Sequence, residues 1–296
     1  MKVSILGTNG FLSNAIARYA NEHDWHLDMY GLEVPSKVTY DHYYHVNLLD
    51  GNLDCTTMLD SDMIVYAIGA GIQSNLNEGV ELIYLLNVTL PIAICNQLKA
   101  LEYRGVVVTF GSYFELGETT LQTPATEDDI LMANAPMPND YAVSKRLLTR
   151  FVNSYKHDYT HWHFILPTIY GPGENPKRLI PYTINAIRNN EELHFTSGEQ
   201  VRQYLYVGDV PEYIIRSYLK QLPSGIYNLG GDIVISIQEL VSIICTKQNH
   251  KLDYGSFGKQ KKLDSKMQYL ALNDSLITNC LNYNDKTQFK NVIELY

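Results

Sequence analysis

Apolar residues fall in short blocks along this chain, and the spacing inside the blocks alternates between two periods. Lys2–Leu6 (KVSIL) is a continuous apolar run closed by a glycine-bearing turn, the pattern of a buried strand. From Asn14 to Asn21 the apolar positions Ala15, Ile16, Tyr19 and Ala20 share one helical face. Strand-like blocks return at Leu27–Tyr30, Met63–Ala67, Val106–Phe110 and Phe164–Leu166, and helical stretches at Glu81–Leu101 and Tyr141–Tyr155. Strand and helix in alternation predict an α/β fold, a doubly wound parallel sheet with helices on both faces. After about residue 167 the rhythm changes. A Gly- and Pro-bearing loop, Tyr170–Pro176, precedes a helix, a short strand at Leu193–Phe195, and further short elements to the end. The chain is read as a first lobe over 1–166 and a smaller C-terminal lobe over 167–296, interleaved with the first and closing over a second ligand.

Composition narrows the class. The 296 residues are 45% hydrophobic and 19% charged, ordinary for a folded domain, and the net charge of −9 opposes nucleic-acid binding, which needs a clustered basic surface. An acidic chain can still hold a diphosphate through local arginines and helix N-termini. Cys55, Cys95, Cys245 and Cys280 are far apart and have no metal-ligand spacing; they read as free thiols in a reducing compartment, with no metal. Met1 leads directly into a strand, with no basic leader, and no apolar run is taken to be of membrane-spanning length. The expectation is a cytoplasmic protein with no membrane partner.

The turn Gly7-Thr8-Asn9-Gly10-Phe11-Leu12-Ser13 follows the first strand and opens the first helix. It is a GxxGxxG pattern with Ser13 in the third place. Gly7 permits the tight turn, Gly10 lets backbone approach a pyrophosphate at the helix N-terminus, and Ser13 is small enough for close packing. Gly7, Asn9, Gly10, Phe11 and Leu12 are therefore candidate cofactor contacts. The acid that binds the adenosine ribose in NAD enzymes would fall at Gly31, with Glu33 two residues on. Its absence leans the preference toward NADP(H), with NAD(H) possible; Ser36 and Lys37 are the only nearby phosphate candidates. Asn47 and Leu48 follow the third strand, where adenine contacts lie. Ala67 and Gly69 follow the fourth, where small residues let backbone pass close to a cofactor. Asn47 and Gly69 read equally as ordinary turn residues.

Tyr141 and Lys145 form a YxxxK pair on one helical face. An ammonium beside the phenol lowers its pKa and fits Tyr141 for proton exchange. Alone, YxxxK is a common surface pair. With Ser112 at the end of the Val106–Phe110 strand and the glycine turn upstream, the order suits a dehydrogenase.

These residues resemble the extended short-chain dehydrogenase/reductase family, in its nucleotide-sugar branch. Gly7–Ser13, Thr109–Gly117 and Tyr141–Lys145 carry the likeness, with Pro167–Gly173 (PTIYGPG), Gly198–Val210 (GEQVRQYLYVGDV) and Gly225–Gly231 (GIYNLGG) as its more specific segments. The resemblance implies a Rossmann-like dinucleotide-binding domain and a substrate-binding lobe. It implies Ser112, Tyr141 and Lys145 as the catalytic triad, and Pro167 as a further cofactor contact. Asn87, Arg178, Leu179, Phe195 and Arg202 are the implied substrate contacts, with Phe195 packing on the nucleotide base and Arg202 holding the diphosphate. It also implies a homodimer through a four-helix bundle made by Glu81–Leu101 and Tyr141–Tyr155.

Departures from the family select among its reactions. Nucleotide-sugar 4,6-dehydratases carry an Asp-Glu pair after the strand threonine, read here onto Ser112-Tyr113. Epimerising GDP-fucose synthases need a cysteine and a histidine where this chain has Phe114 and Gly173. Gly208 and Gln203 stand where many relatives have other residues. Elimination favours reduction of a 4-keto-6-deoxyhexose carried on a nucleoside diphosphate. A 4-epimerase and a non-catalytic dinucleotide sensor remain as alternatives.

Overall fold

The structure is a computed structural model that describes residues 1–50, 53–72, 77–260 and 266–296. In chain order the first elements are β1 (Lys2–Leu6), α1 (Phe11–Glu22), β2 (His26–Gly31), β3 (His42–His45), β4 (Met63–Tyr66), α2 (Val80–Tyr84), α3 (Leu90–Ala100) and β5 (Val106–Ser112). There follow α4 (Glu127–Met132), α5 (Asp140–Ser154), β6 (Thr160–Leu166), β7 (Thr168–Tyr170), α6 (Leu179–Arg188), β8 (Val201–Tyr206), α7 (Asp209–Leu219) and β9 (Gly225–Asn228). The last are β10 (Ile233–Ser236), α8 (Ile237–Lys247), β11 (Tyr269–Leu270), α9 (Ser275–Leu281) and α10 (Phe289–Val292).

The chain forms two units. Residues 1–115, 139–165 and 210–227 make the first; 116–138, 166–209 and 228–296 make the second. The first unit's sheet has the order β3-β2-β1-β4-β5-β6-β9, and the pairings from β3 to β5 are parallel. This is the Rossmann-like α/β fold expected from the alternation. The reversal of strand order beside β1 leaves a crevice at the carboxyl ends of β1 and β4, where ligands of such sheets bind.

One apolar layer holds α3 to this sheet. Leu90, Ile94 and Leu98 recur at helical spacing and pack with Leu6, Ile64, Tyr66 and Val107. Full burial of each such side chain is worth roughly 1.5–3 kcal/mol. Between α2 and α3 the helix widens into one π turn, Leu85–Thr89. By length and apolarity the whole stretch Val80–Ala100 would suffice to cross a membrane, contrary to the sequence expectation that no run reaches that length. A third of its apolar window is buried within the chain.

In the second unit β8 is the hub. β10 pairs along one edge, antiparallel, while β11 and β7 share the other edge, parallel, opposite Val201–Arg202 and Tyr204–Tyr206. Ile180, Ile184 and Ile187 of α6 and Leu240, Val241 and Ile244 of α8 close the core of this unit. The expected strand at Leu193–Phe195 does not form. With both edges of β8 taken, that segment bonds to irregular chain instead: the Phe195 N–H donates to Ser256 O, and Gln260 N–H donates to Phe195 O.

Candidate active site

The glycine turn adopts the form its residues demand. Gly7 has φ 111°, in the region that favours glycine. A Cβ there would lie 3.4 Å from the Ala67 carbonyl oxygen, so the turn after β1 runs against the turn after β4. Gly10 caps α1, and the Ser13 hydroxyl donates to its carbonyl at 3.0 Å. Ser13 thus fills the third-glycine place and is fully buried. No acid or capping side chain occupies the first turn of α1, so its N–H groups face a site suited to an anion. Phe11 and Leu12 open that helix. The cradle fits a dinucleotide pyrophosphate.

Asn9 leaves the turn sideways. Its Oδ1 accepts from the Ser36 N–H and hydroxyl at 3.1 and 3.0 Å, and its Nδ2 donates to Val34 O and to Glu33 at 3.2 and 3.4 Å. This brings the Glu33 carboxylate beside the cofactor turn, two residues past the place where an acid was sought. At that place, Gly31 has no room for a side chain, because a Cβ would meet Thr8 at 2.8 Å. Asn47 closes a turn by accepting from Leu49 N–H at 3.2 Å, and Leu48 is buried.

The three expected catalytic residues, Ser112, Tyr141 and Lys145, all lie within the first unit. α5 is capped by Asn139, whose side chain accepts from Ala142 N–H at 2.9 Å, and this fixes Tyr141 in the first turn. One turn on, the Lys145 ammonium lies 6.0 Å from the centre of the Tyr141 ring and donates to Phe110 O of β5 at 2.9 Å. Burial pushes its pKa down to about 8, and the charge of Glu115 opposes that fall. Ser112, two residues past Phe110, ends β5 and is 5% exposed. Its hydroxyl accepts from Phe114 N–H at 3.3 Å. The turn after β4 touches the same pair: a Cβ on Gly71 would lie 3.2 Å from the Tyr141 Cβ, and one on Gly69 would lie 3.9 Å from the Lys145 Nζ.

Asn87 locks these pieces together. It is buried in the π turn, accepts from Ala70 N–H at 2.9 Å, and donates to Ala70 O and to the Ser144 hydroxyl, both at 2.9 Å. Ser144 in turn donates to Tyr141 O at 2.8 Å. One amide therefore ties the β4 turn to the helix of Tyr141 and Lys145. The π turn is what aims it there; such bulges are frequent at functional sites. Asn87 thus has a positioning place, and its hydrogen bonds within the chain are the work of both ends of its amide.

None of Ser112, Tyr113 and Phe114 carries a carboxyl group. The nearest carboxyl along the chain is Glu115, which sequence reasoning passed over. It is fully buried, and its Oε1 accepts from Ser112 N–H at 2.7 Å. Burial raises its pKa to about 7, against hydrogen bonds from Thr149 and Ser112 N–H and the charges of Lys145 and Arg146. A lone acid inside the apolar run VVVTFGSYFEL was the signal that could have found it.

The remaining expected residues lie in the second unit. Pro167 separates β6 from β7. Arg178 precedes α6 and pairs with Glu174 at 3.1 Å, and Leu179 begins that helix against the apolar core. Phe195 is 4% exposed, stacked on Phe257 at 5.1 Å. Arg202 on β8 is buried, and its Nη1 donates to Val201 O at 2.8 Å. The cysteines are free thiols. Among the described residues, His26, Asp28 and His42 bring metal-ligand atoms within 4.8 Å of one another. There Lys2 already supplies a cation, 3.1 Å from Asp28.

The sequence model of the NAD dependent epimerase/dehydratase family matches residues 3–230. A CDP-abequose synthase from Salmonella muenchen is 28% identical over 148 residues, 47% of this chain and 48% of that protein. A human dTDP-D-glucose 4,6-dehydratase is 35% identical over 106 residues, 34% of this chain and 30% of that protein. The matched stretch thus spans less than half the length of these curated relatives. Among solved structures, MoeE5 in complex with UDP-glucuronic acid and NAD superposes with TM-score 0.82 at 16% identity, covering 99% of this chain and 97% of that one. UDP-glucose 4-epimerase from Thermotoga maritima with UDP-glucose gives 0.80 at 14% identity, covering 100% and 97%. These likenesses show the fold.

Proposed function

We propose, from the premise that the chain belongs to the NAD dependent epimerase/dehydratase family, that it reduces the C4 ketone of a nucleoside-diphospho-4-keto-6-deoxyhexose. The carrying observation is the Ser112–Tyr141–Lys145 cluster with no carboxyl at the two positions after Ser112. Dehydration needs an acid and a base on the sugar, and Glu115 is turned away into the protein, toward the Ser112 main chain. The CDP-abequose synthase relative supports the same choice.

A bound dihydronicotinamide supplies the hydride. The chain's own groups do the rest. Tyr141 gives its phenol proton to the oxygen forming at C4, and Ser112 hydrogen-bonds that oxygen as charge develops on it. Lys145, charged below about pH 8, lowers the phenol's pKa and holds the cofactor ribose. Arg202 holds the substrate diphosphate as a planar fork of donors, with Arg178 and Leu179 as further substrate contacts; Phe195, buried against Phe257, belongs to the core instead.

The cofactor preference inclines differently from the sequence expectation. Glu33, hydrogen-bonded to Asn9, brings a carboxylate beside the glycine turn; a negative charge there would oppose the 2′-phosphate of NADP, which favours NAD(H). That same carboxylate favours the second reading, a 4-epimerase with permanently held NAD. Partly exposed apolar residues Val143, Leu147 and Phe151 form one stripe along α5, and the stretch Val80–Ala100 is largely unburied within the chain. A second copy covering both helices fits that surface, and sedimentation at micromolar concentration tests it.

The test of function is incubation with a panel of nucleotide-linked 4-keto-6-deoxyhexoses and NADH or NADPH. Stoichiometric cofactor oxidation with a product two hydrogens heavier supports reduction. Interconversion of C4 epimers without cofactor consumption overturns it in favour of the epimerase.

A further inference from the structure

Behind Ser112 lies a file of buried polar side chains that the proposed chemistry does not use. Glu115, Thr149, His163, Thr109 and His161 are each at most 1% exposed. The Thr149 hydroxyl faces the Glu115 carboxyl and lies 2.8 Å from His163 Nε2. His163 Nδ1 lies 2.7 Å from the Thr109 hydroxyl, which lies 2.9 Å from His161 Nε2. His161 and His163 alternate on β6 and so share one face, as the strand period requires. Gly111 makes room for the inner end: a Cβ there would fall 2.6 Å from Glu115 Oε1 and 2.8 Å from His163 Nε2.

The two ends of the file are its open positions. Among the described residues, neither Glu115 Oε2 nor His161 Nδ1 has a hydrogen-bond partner. His161 also lines a cavity of about 240 Å³ with His157, Tyr155, Ser224 and Ile226. At the other end, Glu115 holds the Ser112 N–H, and its charge is felt by Lys145.

We propose that this file is a two-state proton store, that it exchanges one proton between Glu115 and the His161 cavity, and that Glu115 is thereby a positioning residue that keeps Lys145 charged beside Tyr141. The donors run consistently in either direction. With Glu115 ionised, His161 Nε2–H donates to Thr109, Thr109 to His163 Nδ1, His163 Nε2–H to Thr149, and Thr149 to the carboxylate. With Glu115 protonated every donor reverses, and His161 carries its hydrogen on Nδ1. Passing from the second state to the first moves one proton across each link and releases one at His161 Nδ1. Both rings stay neutral, and the carboxyl becomes a carboxylate.

The groups around the file fit this. Lys145 and Arg146 of α5 face Glu115 and favour its charged form. Burial, His157 and Lys145 keep the rings from charging: His161 is pushed down to about 3, and His163 far below the ordinary histidine value. Glu115, raised to about 7, is the member that titrates in the working range.

The role at Lys145 rests on the proposed reduction; the file itself does not, so two measurements separate them. The first is ¹⁵N-histidine NMR of the full chain between about pH 5 and 9. His161 and His163 are expected to remain neutral and to move their hydrogen from Nδ1 to Nε2 as the pH rises through about 7, and Glu115→Gln is expected to abolish the move. His161→Gln and His163→Gln assign the signals. Should either fail to fold, two tautomer-switching neutral rings among the nine histidines still identify the pair. An imidazolium at either ring, or one fixed tautomer in the parent, overturns the store. The second is the pH profile of ketone reduction: Glu115→Gln should move the alkaline loss of activity about one pH unit lower, the size of an opposite charge nearby. An unmoved limb overturns the coupling to Lys145. Absence of turnover on every keto-sugar refutes the reductase reading and leaves the tautomers to decide the store.

Discussion

Lys145 in the first unit and Arg202 in the second are both buried cations that spend a donor on a main-chain carbonyl. Their settings differ. Lys145 stands near Glu115, a carboxyl that titrates near neutrality, on a helix whose preceding turn bears Tyr141. Arg202 sits near the start of β8, with β10 on one side and β11 on the other. A lysine can change its charge when buried, whereas a guanidinium is a fixed, planar grip. On the proposed reading the contrast is a division of labour: the first unit supplies a cation where protons move, and the second supplies one that only holds an anion.

The division breaks most visibly if the phenol is removed. Tyr141→Phe is expected to lower kcat by roughly 10²- to 10⁴-fold with cofactor binding retained. Steady-state kinetics beside a cofactor titration checks it, and a loss under about tenfold would end the proton-donor role.

Arg202→Ala should instead raise KM for the nucleotide-sugar by about ten- to a hundredfold with kcat little changed, since a charge-assisted contact is worth roughly 1.5–3 kcal/mol. Arg202→Lys should restore part of this. A fall in kcat equal to the fall in kcat/KM would move Arg202 into the chemistry and erase the contrast.

Acid sharpens the comparison in a third way. His161 and His163 are depressed in the fold. Such a group contributes stability above the unfolded value near 6.5, and loses it as pH falls. Glu115 is raised to about 7, so its neutral form stabilises as pH falls toward the ordinary carboxyl value. Two losses against one gain leave about one ring's worth, or about 2 kcal/mol lost between pH 6.5 and 5 at 1.36 kcal/mol per pH unit. Neither histidine of the second unit, His194 or His250, is buried. Amide exchange should therefore loosen first around β5 and β6, and even loosening of both units would refute the assignment.

The smallest expected effect is on the cofactor. With Glu33 beside Asn9, kcat/KM for NADH should exceed that for NADPH by about tenfold, one charge–charge contact near a surface. Glu33→Gln should narrow the gap. A parent enzyme that prefers NADPH would restore the first expectation drawn from Gly31.

The parts legible in the sequence were those whose cause is local. Gly7–Ser13 announces a turn because its backbone needs glycine there, and Tyr141 and Lys145 share a face by helical arithmetic alone. The parallel α/β class followed from alternation, whereas the strand order and the edge strand β9 did not. What escaped was decided by partners distant in the chain. Leu193–Phe195 has strand composition, yet strands need an edge, and β8 had none left to offer. β6 was read from Phe164, because His161 and His163 interrupt the apolar run; two histidines two apart on a buried strand are intelligible only once Thr109 and Thr149 stand beside them. Glu115 was hidden for the same reason.

The contact between Gly31 and Thr8 has a consequence for the routes by which such a protein can change its preference. An acid at position 31 is the usual way to grip the adenosine ribose, but here the space it would enter belongs to the Thr8 side chain. Gly31→Asp alone should cost fold or cofactor affinity before it brings any selectivity, whereas Thr8→Gly followed by Gly31→Asp opens the way. The order of the two steps matters, and a lineage holding Thr8 is steered to recruit its charge from elsewhere, the part that Glu33 takes on the proposed reading.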